Sequence, residues 1–192
     1  MKIGVLALQG AFAEHEKVLE QLGAECIELR QARDLAEPYD ALVLPGGEST
    51  VQGKLLKELS MFDTIKSQIQ NGMPVLATCA GAILLAETID GQMKGQPEQY
   101  FGTIPMCKRN AYGRQLGSFH TEASVVGIGT VPMTFIRAPY IASVGNGVEV
   151  LAVVEERIVG VKYKNQMAFS FHPELDPDMR IHKTFLSMIS NV

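Results

Sequence analysis

In the first half of the chain, short aliphatic runs alternate with amphipathic ones, and no other feature narrows the possible fold as much. "KIGVLAL", "AECIEL", "DALVLP" and "PVLATC" carry the aliphatic side chains of strands. Between the first two, "AFAEHEKVLEQLG" sets Phe12, His15, Val18, Leu19 and Leu22 at helical spacing, and Gly23 supplies a stop. "VQGKLLKELS" and "MFDTIKSQIQNG" read as helices between the third and fourth strands, and a small-residue helical run follows "PVLATC". Strand and helix in turn are βα units, which build a mostly parallel sheet with helices against it.

The second half changes texture. "SFHTEASVV", "MTFIRAP", "VEVLAVVEE", "RIVGVKYK" and "QMAFSFHPE" are strand-like runs separated by turn residues, which predicts a mixed sheet with antiparallel additions. "DPDMRIHKTFLSMIS" closes as a helix, with Met179, His182, Phe185, Leu186 and Ile189 on one stripe and Asp176 or Asp178 near its start. His15 and His182 lie on such stripes and read as packing or boundary residues. No linker or internal repeat interrupts the 192 residues, so a single domain spanning 1–192 is expected, within the roughly 100 to 200 residues usual for one domain.

Composition removes several classes of function. A net charge of −4 without any Lys/Arg-rich run gives no surface for nucleic-acid phosphates. Cys26, Cys79 and Cys107 are odd in number and lack CxxC spacing, so neither a disulfide framework nor a zinc site is indicated, and a reducing cytoplasm fits. The opening apolar run "IGVLAL" is shorter than a signal peptide requires. "VLATCAGAILLA" falls well short of the roughly 20 residues that span a bilayer, so no membrane role is expected.

Three stretches can carry chemistry. In "PVLATCAGAILLAE", Cys79 falls at a strand-to-helix turn, where a sharp bend exposes the thiol and a helix N-terminus favours thiolate. Ala80 and Gly81 are small enough for a substrate to approach, which is nucleophile-elbow logic with sulfur in place of oxygen; a buried packing cysteine is the plain alternative. "PGGEST" sets Gly46 and Gly47 after a strand, where backbone N–H groups can meet a developing oxyanion, or where the chain simply turns. It is not a phosphate-binding loop. Five residues separate Gly47 from Gly53, and Leu55 stands where Ser or Thr should hold magnesium. "SFHPEL" offers His172 and Glu174, which project to the same side of an extended segment, so the carboxylate can orient the imidazole. His120 and Glu122 repeat that spacing as a decoy, without the stiffening of Pro173. Oxyanion loop, cysteine elbow and distant His-x-Glu, in that order on an α/β scaffold, point to cysteine hydrolase chemistry.

Taken together, "LQGAFAEH", "LPGGEST", "TCAG", "RNAYGRQ", "FIRAPYI" and "SFHPEL" resemble the glutaminase subunits of pyridoxal 5'-phosphate synthase, which are class I (triad) glutamine amidotransferases. "TCAG" and "HPE" alone mark only the broad class; "GGEST" with "RNAYGRQ" and "IRAPYI" narrow it, and the likeness runs nearly end to end. The resemblance implies a flavodoxin-like three-layer α/β fold with helices flanking a mixed, mostly parallel sheet. It further implies Cys79 as nucleophile, His172 and Glu174 completing the triad, and backbone N–H groups of Gly47 and Ala80 as oxyanion hole. L-glutamine would be held by Gly47, Glu48, Ser49, Arg109, Ile136 and Arg137, with no metal or cofactor. The implied partner is a (β/α)8-barrel synthase subunit, in a hetero-oligomer, that uses the ammonia with ribose 5-phosphate and glyceraldehyde 3-phosphate. Docking is expected through the loops around the elbow and the N-terminal αβ units, and "DGQMKGQPEQYFGTI" is expected to be a variable loop. The rival readings are a glutaminase serving another amidotransferase, a cysteine-elbow stress protein or chaperone, and a non-catalytic binding module.

Overall fold

The computed structural model describes residues 1–90, 99–109 and 118–190, without the side chains of 107–109. Along the chain, β1 (Lys2–Leu6), α1 (Phe12–Gln21), β2 (Glu25–Leu29), a 3-10 turn (Ala32–Ala36), β3 (Ala41–Leu44), α2 (Ser49–Glu58), α3 (Phe62–Gln70), β4 (Val75–Thr78) and α4 (Ala80–Leu85) form the first half. There follow β5 (Ala86–Asp90), β6 (Ile104–Arg109), β7 (Phe119–Val125), β8 (Gly129–Phe135), β9 (Tyr140–Val144), β10 (Glu149–Val154), β11 (Arg157–Tyr163), β12 (Gln166–Phe169), a 3-10 turn (Pro173–Leu175) and α5 (Arg180–Ile189).

Five parallel strands in the order β2-β1-β3-β4-β12 form the heart of the sheet. This is the flavodoxin-like doubly wound order, with β12 arriving from the far end of the sequence as the fifth strand. β11 joins β12 antiparallel, and β9, β6 and β5 continue the sheet beyond it, while β10 pairs with β11. The β7–β8 hairpin forms a separate two-stranded sheet.

Alternation along β3 explains the layering. Leu42 and Leu44 enter a core with Leu56 of α2 and Ile65 of α3, whereas Ala41 and Val43 enter another with Leu19 of α1 and Phe185 of α5. Successive side chains of one strand thus require cover on both sheet faces, and helices supply it. The hairpin seals the second face through Val125, Val131, Met133 and Phe135.

Some elements depart from the sequence reading. α4 is only six residues long, because Ala86 turns to extended backbone (φ −66°, ψ 140°) and leads straight into β5. β6 and β9 were not anticipated: "IPMCKR" contains a proline, which weakens a strand signal, and pairing with β9 overrides it. The stretch 91–98 of the expected variable loop lies outside the described residues, as do 110–117, which hold most of "RNAYGRQ". Neither aspartate before α5 is its N-cap. Met179 takes that position, and Asp178 instead accepts the Arg180 N–H at 2.9 Å.

Candidate active site

The carboxyl ends of β1, β3, β4 and β12 open into four loops, which carry Gln9, Gly46–Gly47, Cys79 and His172. Parallel strands place their following loops at one edge of the sheet, which is where doubly wound folds assemble sites. The four loops are tied to one another. Gly46 donates its N–H to Thr78 Oγ1 at 3.1 Å and accepts from the Ala11 N–H at 3.1 Å. Glu48 N–H reaches Gln9 Oε1 at 2.7 Å, and Cys79 N–H is held by the Phe169 carbonyl at 2.8 Å.

Cys79 has φ 46° and ψ −104°, a left-handed backbone that costs a non-glycine residue about 1–3 kcal/mol. The bend turns the residue off the end of β4 and makes it the N-cap of α4. Gly81 permits the elbow, because a Cβ there would stand 2.0 Å from the Leu44 carbonyl oxygen. Gly46 matters in the same way on the other side: a Cβ would meet His172 Cε1 at 2.3 Å and Cys79 Cβ at 3.3 Å. Loop, nucleophile candidate and imidazole are therefore packed against one another.

His172 Nδ1 donates to Glu174 Oε1 at 2.7 Å, and the same ring interacts electrostatically with the neighbouring Cys79 side chain. The pair is not brought together by extended alternation. His172 (φ −110°, ψ 82°) leads into a single 3-10 turn with Pro173 at its start, and that turn brings Glu174 back to the ring. The Thr134 carbonyl fixes the segment by accepting the His172 N–H at 2.8 Å.

Burial opposes charge on His172, yet the nearby Cys79 side chain, and the hydrogen bond and Coulomb attraction of Glu174, push the imidazole up to about 10. Burial likewise opposes charge on Glu174, but the neighbouring His15 and the bonded His172 hold its carboxyl below the usual range. An ionised carboxylate, an imidazole that readily takes a proton, and a neighbouring thiol are the groups that acyl transfer needs. His120, in contrast, is more than half exposed on β7, and its Nδ1 meets Thr134 Oγ1 at 3.0 Å and Asp176 Oδ1 at 3.6 Å.

The sequence pattern of the SNO glutamine amidotransferase family matches residues 5–191. The chain belongs to that family. Among curated family relatives, the pyridoxal 5'-phosphate synthase subunit PdxT of Desulfitobacterium hafniense strain Y51 is 60% identical, over 100% of this chain and 94% of the relative. PdxT of Streptococcus pneumoniae serotype 2 is 55% identical over 98% and 97%. A solved glutamine amidotransferase superposes with TM-score 0.90 at 42% identity, over 98% of each chain. Another glutamine amidotransferase, from Thermotoga maritima, superposes at 0.64 with 15% identity, over 100% of this chain and 84% of the other, and shows the fold alone.

Elsewhere in this SNO-family chain, the substrate candidates occupy the same end of the sheet. Gly47 and Glu48 are exposed and Ser49 is nearly buried at the start of α2. The Glu48 carboxylate caps that helix, accepting Thr50 N–H at 3.1 Å and Val51 N–H at 2.8 Å as well as the Thr50 hydroxyl. Ile136 and Arg137 follow β8 in the open, with Arg137 at φ 44°. Arg109 ends β6 opposite Tyr140, and its side chain lies outside the described residues. Ala80 opens α4, whose first N–H groups have no acceptor within the helix. Among the described residues, no group of three His, Cys, Asp or Glu side chains is arranged to ligate a metal, and no helix is long and apolar enough to cross a membrane.

Two participants were missed by the sequence reading. His15 and His182 are fully buried, as packing residues would be, but they do more than pack: His15 Nε2 lies 3.3 Å from Glu174 Oε2 and 3.0 Å from Thr78 Oγ1, while His15 Nδ1 lies 2.9 Å from His182 Nε2. The available signal was chemical. An imidazole on an otherwise aliphatic helix stripe is costly to bury without partners.

Proposed function

We propose that this chain hydrolyses the side-chain amide of L-glutamine to L-glutamate and ammonia through Cys79, His172 and Glu174, as the glutaminase subunit of a pyridoxal 5'-phosphate synthase. The observation that carries the reading is the imidazole of His172 held between Glu174 and the left-handed Cys79 elbow, in a chain 60% identical over its whole length to a PdxT.

In this scheme the thiolate of Cys79 adds to the amide carbon, and the oxyanion is met by backbone N–H groups of Gly47 and Ala80. His172 gives its proton to the departing nitrogen, which leaves as ammonia, and the γ-glutamyl thioester remains. His172 then removes a proton from water, the hydroxide adds to the thioester, and glutamate leaves as the thiolate is restored. Glu174 keeps the ring oriented throughout. Gly47, Glu48, Ser49, Arg109, Ile136 and Arg137 form the glutamine pocket, an arginine facing the α-carboxylate and Glu48 leaving its helix cap for the α-amino group.

Ammonia is mostly protonated near neutral pH and is then a poor nucleophile, which favours direct discharge into a docked synthase, here a (β/α)8-barrel subunit in a hetero-oligomer. We place the pair in the cytoplasm, where the free thiols of Cys26 and Cys79 stay reduced. Ammonia release from glutamine, measured with the cognate synthase present, tests the reading: Cys79→Ala should abolish it without unfolding the chain, and normal turnover by that variant would refute the mechanism.

A further inference from the structure

We propose that His15 is a positioning residue for the triad, its Nε2–H shared between Glu174 Oε2 and Thr78 Oγ1 while His182 fixes its tautomer. The inference rests on the glutaminase reading above and adds a residue to it.

The tautomer follows from the partners. Glu174 is a carboxylate with both oxygens able only to accept, so the nitrogen 3.3 Å from Oε2 must carry the proton. His15 Nδ1 is then an acceptor, and His182 Nε2, 2.9 Å away, must donate. His182 Nδ1 is left buried with no partner among the described residues, as the unprotonated nitrogen of a neutral ring can be. Burial, the largest influence on either ring, holds His15 below its ordinary value and pushes His182 down to about 3, in keeping with two neutral imidazoles.

The 3.3 Å contact is longer than the 2.7 Å bond from His172, and its alignment falls short of a full hydrogen bond, since the proton on Nε2 also faces Thr78 at 3.0 Å. Without it, Glu174 Oε2 would face no donor among the described residues. The carboxylate could then rotate, and the Oε1 that orients His172 would rotate with it. The same nitrogen touches Thr78, which precedes the nucleophile and receives the Gly46 N–H of the oxyanion loop. One ring on α1 therefore braces carboxylate, elbow and loop from behind.

Two polar replacements separate this role from packing. His15→Gln carries an amide to the place of Nε2, whereas the shorter His15→Asn reaches only the place of Nδ1, beside His182. In the full chain assayed with its cognate synthase, His15→Asn should lower kcat by about 10- to 100-fold, the weight of one hydrogen bond to a buried charge. KM for glutamine should stay within about threefold, because uniform substrate binding is untouched. His15→Gln should recover most of kcat. Equal kcat in the two variants, whether high or low, or a loss confined to KM, overturns the inference. Absence of glutamine turnover in the unmodified chain would instead overturn the glutaminase reading on which it rests.

Discussion

At the scale of single residues, Gly46 and Gly81 are two of the positions at the site where nothing larger than hydrogen fits. Gly46→Ala would put a methyl 2.3 Å from His172 Cε1, so the ring must move away from Cys79 and Glu174. A displacement near 1 Å can cost about 100-fold in rate, and kcat for glutamine should fall by that order while urea unfolding changes little. Gly81→Ala acts on stability instead. Its methyl meets backbone, the Leu44 carbonyl at 2.0 Å, which cannot swing aside as a side chain can. Overpacking of this kind costs about 1–3 kcal/mol, read as a lower urea midpoint with an unchanged slope. The two positions should therefore fail in different assays.

At the scale of elements, α5 gives the fold a sensitivity to acid. His182 stays neutral inside the protein down to about pH 3 but takes its proton near 6.5 when unfolded. The unfolded chain then binds more protons, so stability is lost as pH falls from about 6.5 towards 3, by at most about 1.4 kcal/mol per pH unit for one group. His182→Gln should flatten the fall of unfolding free energy over that range, and a slope identical to that of the unmodified chain would show that the ring is not buried neutral. The elements themselves were legible where local pattern and tertiary role agree. β1, β2, β3 and β4 were recognisable because each is a short aliphatic run, and α1, α2, α3 and α5 because each turns its apolar stripe to one of the two cores. β6 was hidden by Pro105, and the short span of α4 by the helix-forming look of residues beyond Leu85. Cys79, His172 and Glu174 could be singled out because their neighbours carry the geometry: small residues after the thiol, a proline inside His-x-Glu. His15 and His182 could not. They are 167 residues apart, and no local spacing announces a contact of that range.

At the scale of the whole molecule, the site end of the sheet also carries uncovered apolar surface. Val51, Ile136 and Leu175 are 42%, 45% and 42% exposed, and each lies within two residues of a candidate site residue: Ser49, Arg137 and Glu174. Large apolar groups left in water beside the proposed site suit a protein that covers that site with a partner. Val51→Asp should therefore weaken binding of the cognate synthase in calorimetry by about 10-fold or more, since burying an unpaired carboxylate in an interface costs at least about 1.4 kcal/mol. The melting temperature of the free chain should not change. Unaltered affinity would move the docking face elsewhere.

The thread of contacts from His15 through Glu174 to His172 also bears on when the protein becomes competent during synthesis. Cys79 is translated well before His172, the imidazole proposed to serve it, and His182, which meets His15, lies 167 residues beyond it in the sequence. Contacts of such long sequence separation are slow to close in folding, so under the proposed mechanism a chain whose first half alone has folded holds an unassisted thiol, and glutamine turnover should wait for α5 to seat.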